Sequence, residues 1–87
     1  AKVLATPSDF GAHHRVMMYA ASFFGERATP MLAPMVSSKD VQLRRTAYEA
    51  LLIVGSEGAM ATLERARAKE DNPLLLARLD EVLITLR

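Results

Sequence analysis

The side chains that could bind a metal or perform catalysis are scattered along this chain. The adjacent His13 and His14 are the first candidates. Neighbouring residues of a helix point about 100° apart, whereas a chelating pair needs a spacing of three or four residues. Asp9, four residues before His13, allows one Asp–His pair and no more. We therefore predict that the histidines make capping and surface contacts near a helix start, and we predict no metal site.

The carboxylates do not form a catalytic pair. Glu70 and Asp71 are adjacent in the sequence, and Asp80 and Glu81 form a second adjacent pair. Adjacency does not place two acids face to face, as general acid–base chemistry requires. The sequence has no Ser-His-Asp arrangement that its order supports and no glycine-rich phosphate loop, since residues 55–58 are typical of an inter-helix turn. We predict a non-enzyme without a cofactor.

Basic residues concentrate in the middle of the chain, where a helical array could present them to nucleic acid. They are Arg44, Arg45, Arg65, Arg67 and Lys69. Glu49, Glu64 and Glu70 interleave with them, and the net charge is only +1, from 11 basic and 10 acidic residues. There is no Trp, and Tyr19 and Tyr48 fall on helices that favour packing over base stacking. We predict a solvated face with ion pairs along the helices, and nucleic acid is disfavoured as a partner.

These side chains lie on a repeating pattern. Asp40 ends the string SKD, and Asp71 ends the similar string KED about 31 residues later. Asp9 ends the string PSD at the same distance before Asp40. Each acid precedes or opens a helical pattern, as an N-cap or first-turn acid does. The repeat therefore sets the helix boundaries.

The most complete copy of the repeat is the stretch LRRTAYEALLIVG at residues 43–55. Spacings of three and four place its apolar and small residues on one helix face, namely Leu43, Ala47, Ala50, Leu51 and Val54. Gly55 follows where a helix ends in a left-handed residue. The third copy repeats the same face with Leu75, Leu79, Val82, Leu83 and Leu86. In the first copy Met17, Ala20, Ala21 and Phe24 take the equivalent positions.

The pattern predicts an all-α chain of about five helical segments. We expect helices at about 10–25, 28–37, 41–55, 58–69 and 73–86, with residues 1–6 ending an earlier helix. Pro34 falls inside the second segment and predicts a short or kinked helix there. Met17, Met31 and Met35 fall at packing positions, so we predict that these methionines belong to the core. No window alternates with period two, so we expect no strand.

The central copy resembles HEAT repeats, especially the bacterial HEAT-like type of the phycobilin lyases. The family pattern is acid, hydrophobic-Arg, small residue, Ala-Leu, hydrophobic-Gly, Ala, Leu and acid. In this chain the matching residues are Asp40, Leu43-Arg44, Ala47, Ala50-Leu51, Val54-Gly55, Ala59, Leu63 and Asp71. The resemblance implies a single domain over residues 1–87, an α-solenoid of antiparallel helix pairs. Its units would span roughly 9–39, 40–70 and a partial 71–87, with residues 1–8 ending a preceding unit. Both ends fall in mid-repeat, so we expect a piece of a longer array.

Two further expectations follow from the resemblance. Arg44 should pair with an acid across the repeat junction, where Asp40 or Asp71 is available. The second helices should line a concave side with a smooth surface made by Pro30, Ala33, Pro34, Ser37, Ala61, Glu64, Arg65 and Ala68. We predict that this surface accepts a helix or extended peptide of another protein, which makes the chain a scaffold or adaptor.

Alternatives remain open at this point. The array could bind nucleic acid, or act as a chromophore lyase or chaperone by its likeness to the phycobilin lyases. Exposed repeat ends would also allow self-association. No apolar run approaches the ~20 residues of a membrane span, and no signal peptide is visible. We therefore expect no membrane partner and a cytoplasmic location.

Overall fold

The computed structural model describes the backbone of residues 7–87 and the side chains of residues 14–87. Its elements, in chain order, are α1 (Pro7–Phe24), a 3-10 turn (Gly25–Ala28), α2 (Thr29–Leu32), a second 3-10 stretch (Ala33–Ser37), α3 (Val41–Val54), α4 (Glu57–Lys69) and α5 (Pro73–Leu86). All regular structure in the described residues is helical, which confirms the predicted all-α class. The helix end expected at residues 1–6 lies outside the described residues.

Polar side chains set the starts of the three helices that follow residue 40. The Asp40 carboxylate accepts hydrogen bonds from the backbone N–H groups of the first turn of α3. Ser56 caps α4 in the same way. Asn72, rather than the preceding Asp71, caps α5. Gly55 ends α3 with φ of 65°, a left-handed conformation that costs glycine little.

The segment predicted as one helix over residues 28–37 is a chain of short turns. α2 is only four residues long, and 3-10 geometry precedes and follows it. Pro34 has no N–H to give to the carbonyl of Pro30, and its ring would clash with that carbonyl in a regular helix. Pro34 was expected to make the helix short or kinked. The α-helix is indeed short, and it changes to 3-10 geometry at Ala33.

α3 is central to the fold, because it contacts each of the other four helices. The repeat positions fill the core, and Leu51, Leu63 and Leu79 are completely buried. The equivalent pair Ala28 and Ala59 is also buried. The outermost predicted positions are less enclosed: Leu43, Val54 and Leu86 are half-buried, and Phe24 is exposed. The periodicity thus predicted the centre of the core better than its edges.

The methionine prediction is correct in part. Met17 is buried and Met35 is half-buried, but Met31 is 45% exposed. A single helical turn has room for one inward face, and in α2 Thr29 and Leu32 occupy it. Met31 therefore points away from the core, and its predicted packing role is wrong.

Candidate functional site

A cleft opens between the start of α3 and the face of α4, and we call it the α3–α4 cleft. Its volume is about 430 Å³, within the range of ligand-binding clefts. The 3-10 stretch and the residues after it form one wall, with Ala33, Ser37 and Lys39. α4 forms the facing wall, with Arg65 and Lys69. The 3-10 stretch thus lies directly beside the regular helix α4.

A buried ionic network forms the floor of the cleft. The Arg44 guanidinium donates from Nε and Nη2 to the two oxygens of Glu70, both at 3.1 Å. Its Nη1 donates to the Ser38 carbonyl at 2.9 Å. The Tyr48 hydroxyl donates to Glu70 Oε1 at 2.5 Å, and the Asn72 N–H donates to Oε2 at 3.0 Å. The Glu70 side chain is 1% exposed, so the network joins α3 to the turn before α5 in the interior.

The network corrects the expected partner of Arg44. We predicted Asp40 or Asp71, and the ion pair is made by Glu70. The Asp40 carboxylate is already used to cap α3, and Asp71 is exposed. An ion pair across the junction was correctly expected, but the neighbouring acid forms it.

Ionisation of the floor is fixed by its hydrogen bonds. Burial opposes the charged form of Glu70, but hydrogen bonds from Tyr48, the Asn72 N–H and Arg44 outweigh it and hold the pKa of this carboxyl below its ordinary value. Burial raises the pKa of the Tyr48 phenol, and its bond to Glu70 raises it further. The hydrogen bond to Glu70 raises the pKa of Arg44. At neutral pH the floor therefore has one cation, one anion and a protonated phenol.

Acid should weaken the fold through this carboxyl. An unfolded Glu has a pKa of about 4.3, and the folded-state pKa of Glu70 is lower. Its ionised form therefore contributes stability above about pH 4.3, and that contribution is lost as the pH falls through the folded-state pKa. Urea unfolding between pH 7 and pH 3 should show a smaller acid loss for Glu70→Gln than for the unsubstituted chain. Equal losses in both would contradict this assignment.

Cations without a carboxylate partner line the rim of the α3–α4 cleft. They are Lys39, Arg65 and Lys69, and none of them forms an ion pair with another described residue. Arg65 Nη2 donates to Thr62 Oγ1 at 3.4 Å, which engages one of its five N–H groups. Asp71 is on the same lining and forms no ion pair with another described residue. The rim is therefore basic and solvent-exposed.

Two other hollows differ in charge. The one between α4 and α5 has a volume of about 600 Å³, and ion pairs span it from Arg67 to Asp80 and from Arg87 to Glu64. Among the described residues its charges are therefore matched. A smaller hollow of about 290 Å³ is lined by His14 and Arg45 among others. There His14 Nδ1 lies 3.1 Å from the Thr46 hydroxyl.

The structure distributes the predicted groove residues unevenly. Ala33, Ser37 and Arg65 line the α3–α4 cleft, whereas Glu64 lines the hollow beside α5. The remaining four line neither: Ala61 is half-buried, and the exposed ones are Pro30, Pro34 and Ala68. Sequence reasoning missed Lys39 and Lys69 as members of the site. The spacing of four residues between Arg65 and Lys69 was the available signal.

Exposed aromatic residues form a separate surface on α1. Tyr19 and Phe23 stack with ring centroids 5.5 Å apart, and their residues are 66% and 75% exposed. Val16 and Phe24 are exposed beside them. This apolar surface is a candidate for the self-association expected from the sequence.

Metal and membrane chemistry find little basis in the described residues. Within that part of the chain, no group of three or more His, Asp or Glu side chains could hold a metal ion. The side chain of His13, and with it the Asp9–His13 pair that the spacing allows, lies outside the described side chains. Between residues 7 and 87, no helix combines the length and apolarity needed to cross a bilayer.

No protein-family model, curated protein or solved structure matches this chain.

Proposed function

We propose that this chain is a segment of a HEAT-like α-solenoid that binds another protein in the α3–α4 cleft. The observation that carries the proposal is the contrast between the hollows. Internal ion pairs match the charges between α4 and α5, whereas three cations of the α3–α4 cleft form no ion pair with another described residue. Exposed cations at the mouth of a cleft are available to a partner of opposite charge. As part of the same proposal we expect the chain in the cytoplasm, which fractionation of the source cells tests.

The contacts between helices support the solenoid part of the proposal. α3 contacts both α1 and α5, and α4 contacts α3 and α5, as neighbouring units of a stacked array do. One pair of equivalent residues in successive units is buried alike, since Leu32 and Leu63 are both fully enclosed. In such an array the exposed aromatic face of α1 is a surface for self-association, which analytical ultracentrifugation of Phe23→Ser against the unsubstituted chain tests.

The nucleic-acid alternative is less well supported. Base stacking needs an accessible aromatic side chain, and Tyr48, the aromatic residue of this cleft, is 1% exposed. The chromophore alternative needs an enclosed apolar pocket, whereas charged side chains line this one.

Reversing the charge of the cleft should abolish partner capture without unfolding the chain. The test variant combines Arg65→Glu with Ala33→Asp, which line opposite walls. The matched control combines Arg27→Glu with Ala77→Asp, both exposed and outside the cleft. In pull-downs from the source lysate, proteins captured by the unsubstituted chain should be lost with the test variant and kept with the control. Equal capture by both variants, at equal melting temperatures, would reject the cleft as the binding site.

A further inference from the structure

We propose that the α3–α4 cleft selects an acidic partner segment that presents two carboxylates about 6 Å apart. The inference rests on the proposed function and adds the chemistry of the partner. Its basis is the set of three rim cations, Lys39, Arg65 and Lys69, which have no carboxylate partner among the described residues.

The floor of the cleft takes no part in this selection. Arg44 donates from Nε and Nη2 to Glu70 and from Nη1 to the Ser38 carbonyl. The Tyr48 hydroxyl also donates to Glu70. Arg44 and Glu70 also cancel each other's charge, so the field at the mouth of the cleft comes from the rim. Three cations and one acid, Asp71, belong to this rim, so its net charge is positive.

The spacing of the cations specifies the partner more narrowly. Arg65 and Lys69 lie four residues apart on α4, so they share a face with a rise of about 6 Å between them. In an extended peptide, acids two residues apart are separated by about 6.6–6.8 Å on one side of the chain. In a helical peptide, acids four residues apart are separated by about 6 Å. Both arrangements match the cation pair, while Lys39 approaches from the facing wall.

A peptide matches this surface better than nucleic acid does. A protein that binds a phosphate backbone normally follows it with a long track of cations. Here the two cations of α4, Arg65 and Lys69, span about one helical turn. Asp71 on the same lining would repel a continuous row of phosphates. A carboxylate pair placed on Arg65 and Lys69 does not need to pass that acid.

Fluorescence anisotropy with synthetic peptides tests the inference directly. The probe is a labelled twelve-residue peptide with Asp at alternate positions, compared with the same peptide carrying Asn or Lys instead of Asp, and with a labelled single-stranded RNA. The test variant is Arg65→Glu combined with Lys69→Glu. The control, Arg15→Glu combined with Arg27→Glu, changes the net charge by the same amount at exposed residues outside the cleft.

We expect the Asp peptide to bind and the Asn and Lys peptides not to bind at the same concentrations. The test variant should weaken binding of the Asp peptide by about tenfold or more, and the control by less than about twofold. Binding should also weaken as salt is raised, since partly exposed ion pairs are screened. A milder variant, Arg65→Gln combined with Lys69→Gln, should still lose affinity, which separates lost contacts from any effect of charge reversal on folding.

Other outcomes would overturn the inference. Equal weakening by the test and control variants would show diffuse charge attraction, and no binding of the Asp peptide would remove the acidic partner. Tighter binding of the RNA would replace a protein partner with nucleic acid. If the Asn or Lys peptide binds and Ala33→Asp blocks it, the acidic selectivity is wrong while the proposed protein-binding function survives.

Discussion

Replacing Glu70 with alanine should lower the free energy of unfolding by about 3 kcal/mol, because one partner of a buried ion pair is removed while the other stays. The Glu70 side chain is 1% exposed and accepts hydrogen bonds from Arg44, Tyr48 and Asn72. Its loss removes the acceptor of Arg44 Nε and Nη2 and of the Tyr48 hydroxyl, and leaves the guanidinium without its counter-charge. For a domain of this size the melting temperature should fall by roughly 12–24 °C, which calorimetry measures.

Glu64→Ala is the matched control for this substitution. Glu64 pairs with Arg87 at 3.0 Å, and both side chains are about half exposed. Exposed ion pairs contribute about 0–1 kcal/mol, so this variant should melt close to the unsubstituted chain. If the two variants melt alike, the floor of the cleft does not hold the α3–α5 junction together.

Leu51→Ala should lower the free energy of unfolding by a similar amount, but for a different reason. Leu51 is completely buried in the helix that contacts all others. Truncating it removes apolar contacts and leaves a cavity, which costs about 2–5 kcal/mol. Urea unfolding should show a lower midpoint, because the folded core loses contacts. The dependence of the unfolding free energy on urea concentration should not change, because the surface that becomes exposed on unfolding stays nearly the same.

Leu74→Ala provides the same chemical change on the surface. Leu74 is 82% exposed in the first turn of α5, so its truncation should change stability by about 0.5 kcal/mol or less. A large effect of Leu74→Ala, or a small effect of Leu51→Ala, would contradict the assignment of α3 as the centre of the core.

Helix positions and core residues were predictable where local signals agreed. In α3 the apolar spacing, the Asp40 cap and the left-handed Gly55 all indicated the same bounds, and the helix runs within one residue of them. The segment around Pro34 was harder, because how far a proline disrupts a helix depends on the packing around it. Met31 shows the consequence, since its exposure follows from the interruption.

The site was predictable only in part, because the rotation of α4 depends on tertiary contacts. We expected Ala61, Glu64, Arg65 and Ala68 to face the groove. The residues of α4 that line the cleft are Thr62, Arg65, Ala66 and Lys69, so the face is turned by about one residue. Glu64 and Arg67 lie on the side of α4 toward α5, where they form ion pairs with Arg87 and Asp80. The sequence of α4 alone does not contain this information.

Site-specific photocrosslinking would show whether another protein binds in the α3–α4 cleft. A photoreactive benzoylphenylalanine would replace Ser37, an exposed residue that lines the α3–α4 cleft, or Ala77, an exposed residue of α5 outside it. After irradiation in the source lysate, mass spectrometry would identify the products. We expect a protein adduct from position 37 that is absent from position 77. The same adducts from both positions, a nucleic-acid adduct or no adduct at position 37 would contradict it.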